Sequence, residues 1–421
     1  LGGVKRYSAF ALIKAGFTGQ RKWDRAWRDP APKPHYDVIV IGGGGHGLAT
    51  AYYLAKVHGV RNVAVLEKGW IGGGNTGRNT TIVRSNYRQP ELHNLFEFGL
   101  KMWETMSDDL NYNVMFSPRG ALVLGHSDGD MVRLAQRGDA LRLDGIDAEL
   151  LTRDQVAKFV PNLDMSRTAR FPIEGGMLQR RAGTARHDAV AWGYARAADA
   201  LGVDIIQNCE VTGLTIAGGR VTGVETSRGA IGAGRVGICV AGNSGPLAAM
   251  AGIKLPIEAQ TLQAFVTEAV KPMIDTVIQS QSVHCYISQS DKGGIVLGGD
   301  PDRYPSYAQR GFPPPVERAA AEAIALVPAL SRLRMVRCWA GVTDMSFDGS
   351  PLISALPVDQ LYLNGGWCYG GFKATPASGF TYAHLLATGA SHPLAAPFAF
   401  DRFRTGAIID EAGTGPGPHL R

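Results

Sequence analysis

Tyr36-Asp37-Val38-Ile39-Val40-Ile41-Gly42-Gly43-Gly44-Gly45-His46-Gly47, continuing into Leu48-Ala49-Thr50-Ala51-Tyr52-Tyr53-Leu54, decides the fold class. A near-continuous β-branched run of this kind suits a parallel strand buried on both faces. It enters a glycine cluster and leaves it as helical sequence. Gly42, Gly44 and Gly47 fill the three positions of G-x-G-x-x-G between that strand and that helix. The first permits a tight turn, the second lets a pyrophosphate approach the backbone, and the third lets helix and strand pack closely. Phosphate charge then faces the unpaired N–H groups of the helix N-terminus. A second apolar strand, Asn62-Val63-Ala64-Val65-Leu66, stops at Glu67, about 25 positions after Gly42. An acid at that distance can accept hydrogen bonds from ribose hydroxyls. The order strand, glycines, helix, strand, acid predicts a dinucleotide site, but it does not separate nicotinamide from flavin.

Outward from this unit the pattern alternates. Leu92, Leu95, Phe96, Leu100 and Trp103 stand near helical spacing, so 91–105 is expected as an amphipathic helix. From about 115 to 180 short strands and a polar helix are expected, and helical sequence returns at His187–Leu201. VDIIQNCEV (203–211) reads as a strand, VTGLTIAGGRVTGVET as a hairpin around Gly218-Gly219, and Val236–Val240 as another apolar strand. Residues 260–315 are strand-rich and VERAAAEAIALV is helical. Leu361–Asn364 is a strand opening into a glycine-dense loop and a helix near 376–388. The expected fold is α/β, with a Rossmann-type cofactor domain from 36–105, 185–255 and 335–390. A sheet-rich substrate domain from 106–184 and 256–334 is interleaved with it. Residues 1–35 form a basic arm (Lys22, Trp23, Arg25, Trp27, Arg28) that lies on its own chain or on a partner, and 391–421 form a C-terminal tail.

Composition narrows the function classes. The 421 residues carry 43 Lys+Arg against 37 Asp+Glu, a formal +6 spread along the chain, so nucleic-acid binding is not expected. A hydrophobic content of 45% with 19% charged residues excludes disorder. No run approaches the roughly 18 apolar residues of a membrane span. The opening LGGVKRYSAFALIKAGF lacks both an adequate apolar h-region and an A-x-A site. Cys209, Cys239, Cys285, Cys338 and Cys368 are odd in number and never fall as C-x-x-C. Neither a disulfide framework nor a metal site is expected, and reduced thiols point to a cytoplasmic protein.

Four motifs in order carry a resemblance. Val40-Ile41-Gly42-Gly43-Gly44-Gly45-His46-Gly47 is followed by Glu67-Lys68-Gly69-Trp70. Gly74-Asn75-Thr76-Gly77-Arg78-Asn79-Thr80-Thr81 and Gly370-Gly371-Phe372-Lys373-Ala374-Thr375-Pro376 complete the set. The chain resembles the flavin-dependent amine oxidases of the D-amino-acid oxidase type, and most of all the β-subunit family of heterotetrameric sarcosine oxidases. The likeness runs from about Tyr36 to the C-terminus and is weaker in the arm. It implies noncovalent FAD on a D-amino-acid oxidase-like fold. Gly44, Gly45, His46 and Glu67 would then bind the ADP half, and Asn75, Thr80 and Thr81 would lie along the pyrophosphate and flavin ring. Val211 would reach the adenine through its backbone, and Gly371 and Lys373 would sit at the ring's pyrimidine end. A lysine there offers positive charge where charge develops as flavin is reduced.

The tract Arg181–Trp192 resembles the part of the β subunit whose histidine carries covalent FMN, and His187 occupies that position. Attachment needs a neutral ring, which Arg186 favours and Asp188 would orient. Arg78 and Lys68 would serve the FMN phosphate, ion pairs between subunits, or neither. Ile82-Val83-Arg84-Ser85-Asn86-Tyr87 resembles the related monomeric sarcosine oxidases, where an arginine helps hold the substrate carboxylate. Arg84 and Lys373 are therefore the expected catalytic pair for that carboxylate, with a structural ion pair as the other reading of Arg84. Two departures stand out. Thr81 occurs where those enzymes carry a second basic residue, and Cys338 is displaced from their flavin-tethering cysteine.

What the likeness implies is oxidative N-demethylation of sarcosine, with electrons passing from FAD to FMN and then to oxygen, giving hydrogen peroxide. An α subunit would share the FMN interface and carry NAD and folate sites, and small γ and δ subunits would complete the complex. Two alternatives stay open. One is an FAD-dependent dehydrogenase or oxidase of another secondary amino acid. The other is a non-catalytic flavin electron-relay subunit, against which Arg84 and Lys373 speak.

Overall fold

The computed structural model describes residues 8–21, 26–280, 282–302 and 304–411. The β-branched run forms the strand His35–Ile41 at the middle of a sheet, paired in parallel with Val63–Leu66 on one side and Gly229–Ile238 on the other. Asp204–Ile206 and Leu361–Gly365 extend the parallel order, and Leu352–Ala355 closes one edge antiparallel. Successive side chains of a strand point to opposite faces. Val38 and Val40 enter one buried cluster, with the helices Gly45–His58, Pro90–Asp109, His187–Ala200 and Gly371–Thr388. Ile39 and Ile41 enter another, beneath the hairpin Val211–Ala217/Arg220–Thr226. Both faces are covered, which is why the run has no polar alternation. The hairpin turns on Gly218 and Gly219 at φ 59° and 77°, a region that favours glycine.

The second sheet has eight strands in the order Met335–Ser346, Ile257–Ala269, Gly294–Gly298, Tyr286–Gln289, Val277–Ser280, Ala121–Gly125, Gly175–Gln179 and Glu149–Thr152. Its two chain segments join where Val277–Ser280 lies parallel to Ala121–Gly125. The Pro313–Leu326 helix covers it with Ala319, Ala323 and Leu326. Among the described residues no helix is long and apolar enough to cross a membrane.

Two expectations are corrected. VDIIQNCEV is not one strand: it breaks after Ile206, because Asn208 and Cys209 donate their N–H groups to the carbonyls of Gly69 and Glu67 at 2.9 Å each. The chain turns there through Asn208 at φ 50°. The boundary at 335 is misplaced, since Met335–Ser346 pairs with Ile257–Ala269 from Thr267↔Met335 to Ile257↔Ser346 and so belongs to the second sheet. The expected C-terminal tail is packed against the body of the chain over 391–411: Phe398 is fully buried, and Arg402 forms a buried two-point pair with Asp348 at 2.8 and 2.9 Å.

The arm divides. Arg28 reaches Asp199 at 2.8 Å and Asp204 at 3.3 Å, and Lys33 meets Asp204 at 2.8 Å, so this part lies on its own chain. The helix Ala9–Phe17 buries none of its residues and leaves Phe10 and Phe17 exposed. Lys22, Trp23 and Arg25 lie outside the described residues.

Candidate active site

A cavity of about 800 Å³ runs from the glycine cluster to the N-terminus of the Gly371–Thr388 helix. Pockets of that size hold cofactor-sized ligands. At its first end the glycines are set by sterics. A Cβ on Gly42, whose φ is 111°, would lie 2.3 Å from the Cys239 carbonyl oxygen, and one on Gly47 would lie 2.0 Å from that of Gly42. The Gly45 N–H donates to Thr76 Oγ1 at 2.9 Å. Glu67 closes the cradle: its two carboxylate oxygens accept the N–H groups of Gly43 and Gly69 at 2.8 Å each. Each oxygen keeps a further lone pair for a ribose hydroxyl. Val211 lines the same end, at the foot of the hairpin. A glycine cradle that side chains would fill, a paired acid and a long cavity fit FAD.

Other expected contacts are drawn elsewhere. His46 turns its ring away from the glycine loop, its Nδ1 paired with Ser378 Oγ at 2.5 Å and its Nε2 with the Gly371 carbonyl at 2.7 Å. Burial pushes its pKa down to about 4, so it ties two helices together as a neutral group and leaves only its backbone N–H for phosphate. The Asn75 side chain is occupied by the Val342 backbone, donating at 2.5 Å and accepting at 3.0 Å. It fastens the loop to the second sheet. Thr81 holds φ 67°, a strained value for a β-branched residue, and its carbonyl accepts the Ala185 N–H at 3.1 Å. Thr80 lines the cavity beside Tyr286. Arg78 spans its own loop and donates to the Gly73 and Gly74 carbonyls, and Lys68 stands exposed at the rim.

The far end gathers cations. Lys373 is buried, and its ammonium donates to the Tyr369 carbonyl at 2.8 Å. Burial, and then the nearby Arg84 charge, hold its pKa well below the usual lysine range. Arg84 lines the same cavity, donates to Asn86 Oδ1 at 2.7 Å, and lies 4.4 Å from the centroid of the Tyr87 ring. Its Nε is buried without a hydrogen-bond partner. Two cations in one cavity favour an anion between them, and a carboxylate suits an arginine fork.

Sequence reasoning missed Asp344. Its carboxylate lines the cavity, accepts the Gly366 N–H at 2.6 Å and the Trp367 N–H at 3.2 Å, and is pushed up to about 6 by burial. An acid inside a long strand gives no signal when the strand is assigned to the wrong sheet. Cys338 does not line the cavity; Cys209, Cys239, Cys285 and Cys368 do, and burial lifts the Cys368 thiol to about 11.

His187 begins the His187–Ala200 helix and lies outside the lining of this cavity. Its Nδ1 is buried with no hydrogen-bond partner. Burial lowers its pKa; Asp188 opposes that shift and Arg186 adds to it. Asp188 does not orient the ring, because its oxygens accept Arg186 at 2.6 and 3.1 Å and the Ala189 N–H at 2.9 Å. A ring that burial keeps neutral has the protonation state that attachment to a flavin requires.

A model of the FAD-dependent oxidoreductase family, DAO, matches residues 37–385. The chain belongs to that family. It is 60% identical over 415 residues to the sarcosine oxidase subunit beta of Rhizobium meliloti (strain 1021), covering 99% of this chain and all of the relative. It is 51% identical to the protein of that name from Rhodobacter capsulatus, over 97% of this chain and 98% of the relative. Among solved structures, L-proline dehydrogenase from P. horikoshii superposes with a TM-score of 0.84 at 27% identity, over 90% of this chain and all of that one. The family and these relatives make the chain a flavin-dependent amine oxidoreductase with a D-amino-acid oxidase-type fold.

Proposed function

We propose that this chain is the catalytic β subunit of a sarcosine-oxidising complex, with Arg84 and Lys373 holding the substrate carboxylate. The observation that carries the reading is the meeting of these two cations in the cavity that begins at the dinucleotide cradle. When bound, noncovalent FAD supplies the two-electron acceptor for N-demethylation, and FMN attached at His187 the relay toward oxygen and hydrogen peroxide. The chain's own work is positioning. Arg84 and Lys373 would fix the carboxylate end of a small amino acid and so restrict how its N-methyl end is oriented in the cavity. A carboxylate arriving beside Lys373 also favours its charged form and opposes the burial that depresses it. The N-terminus of the Gly371–Thr388 helix adds partial positive charge at the same place.

The relatives' designation as a subunit supports a multi-subunit assembly. We place an α subunit, with its NAD and folate sites, against the His187 face, and small γ and δ subunits elsewhere. Trp192, on the His187 helix, and Trp70 are exposed large apolar residues suited to such a contact. Free cysteines suit a cytoplasmic setting.

The likeness to an L-proline dehydrogenase favours one second reading, a cyclic secondary amino acid as substrate. Anaerobic titration with sarcosine and with L-proline tests both. Bleaching of the flavin by sarcosine at the lower concentration supports the first reading, and preference for proline overturns it.

A further inference from the structure

The Pro90–Asp109 helix begins with Gln89 as its N-cap, yet no side chain from its own neighbourhood caps it. The first N–H groups of a helix need partners. Here the N–H of the N-cap Gln89 and that of Arg88 before it are paired from the far end of the chain, while Leu92 and His93 donate to the Gln89 carbonyl. The Glu411 carboxylate accepts the Arg88 N–H at 3.0 and 3.1 Å and the Gln89 N–H at 2.9 Å, and the Gln89 side chain donates to the Asp410 carbonyl at 3.0 Å. An anion at a helix N-terminus is also favoured by the helix dipole. The segment is anchored behind this contact. Ile409 is buried, its N–H donates to Asp348 at 3.0 Å, and its carbonyl accepts Ser350 Oγ at 2.7 Å.

Arg88 and Gln89 directly follow Tyr87, the ring on which Arg84 lies. That ring stacks on Phe96 at 3.9 Å between centroids and 12° between planes. Glu411 therefore fixes the backbone that carries the Arg84 platform. It is also the acid facing a crowded group of cations. Arg137, from the Asp128–Leu143 helix, has a buried Nε without a partner; burial and then Arg84 lower its pKa to about 9, while Glu411 opposes the shift.

We propose that Ile409–Glu411 is a strap that positions Arg84, with Glu411 holding Arg88, Gln89 and hence the Tyr87 platform in place for the substrate carboxylate. Glu411 is a positioning residue, and its role rests on the reading of Arg84 and Lys373 given above. Nothing in the local sequence around Arg84 signals it, because the contact spans most of the chain.

The test uses the assembled enzyme with full-length β chain. Wild type is first titrated anaerobically with sarcosine and, as a non-oxidisable carboxylate, with acetate, reading the flavin spectrum. Glu411→Ala is expected to raise KM for sarcosine and Kd for acetate about tenfold each. The limiting rate of flavin reduction should stay within about twofold and FAD content should remain full. Glu411→Asp should recover part of both affinities. Unchanged KM and acetate affinity in Glu411→Ala would overturn the strap, as would a fall in the limiting rate with KM unchanged. A wild-type flavin that neither bleaches with sarcosine nor responds to acetate overturns the carboxylate site itself, and the strap with it.

Discussion

The Lys373 ammonium donates to the carbonyl of Tyr369 at 2.8 Å and, among the described residues, forms no ion pair with a carboxylate. A second anchor holds the same residue: the Trp103 indole N–H donates to the Lys373 carbonyl at 2.8 Å. The lysine backbone is thus fixed by the Pro90–Asp109 helix, while its head group is held by the loop that precedes its own helix. Removing a preorganised donor at a site of developing charge costs about 10²–10³ in rate. Lys373→Met is expected to slow anaerobic flavin reduction by sarcosine about a hundredfold in stopped-flow measurement. An unchanged reduction rate would place the electrostatic role elsewhere.

Glu67 serves two masters. Its carboxylate ties Gly43 and Gly69 and is placed to receive a ribose hydroxyl. Hydrogen bonds to a charged group contribute about 1.5–3 kcal/mol, so Glu67→Ala should weaken FAD binding at least tenfold in equilibrium dialysis. Glu67→Gln keeps one acceptor and should lose less. The attachment of FMN proposed at His187 should be untouched by either change.

These residues differ in how far the sequence disclosed them. Gly42, Gly44, Gly47 and Glu67 were legible because their spacing is local and each has one steric or hydrogen-bonding reason to be there. The strand His35–Ile41 was legible for the same reason, a run buried on both faces. Asn75 and His46 were legible as positions but not as contacts. Their partners, Val342 and Ser378, lie hundreds of residues away, and no periodicity encodes that pairing. Met335–Ser346 was assigned to the wrong sheet because strand character says nothing about which edge a strand joins. Glu411 was invisible altogether, since a lone acid near a terminus has no pattern.

Asp344 gives a pH signature. Burial raises its pKa from 3.8 to about 6, so between those values the folded state retains a proton that the unfolded state has released. Stability then falls as pH rises through that window, and the full cost, on the order of 3 kcal/mol, is present above it. Asp344→Asn removes the ionisation while keeping an acceptor for the Gly366 N–H. The melting temperature of the variant relative to wild type should rise between pH 4 and pH 7. A difference that does not change with pH would mean the carboxyl does not titrate there.

His187 carries the most consequential prediction, because it separates a two-flavin enzyme from a one-flavin enzyme. Attachment to flavin needs a neutral imidazole with a nitrogen free to form the bond. Several other histidines are already engaged. His46 is bonded through both nitrogens and His126 to the Pro172 carbonyl and Ser280, whereas His93 and His284 each give one nitrogen to a carboxylate, Asp144 and Asp300, and His93 keeps its Nδ1 unpartnered. His187 keeps a buried, unpartnered Nδ1, and burial favours its neutral form. It lies outside the lining of the cavity that begins at the glycine cluster, so a flavin attached there would be separate from one bound in that cavity. His187→Ala should therefore abolish acid-stable FMN, read as flavin mass on the denatured chain, while FAD stays bound. Sarcosine should still reduce that FAD in a single turnover, and oxygen-linked turnover should fall at least tenfold. A wild-type chain without attached flavin mass, or a His187 variant that still carries it, would leave a single-FAD amine dehydrogenase as the surviving reading.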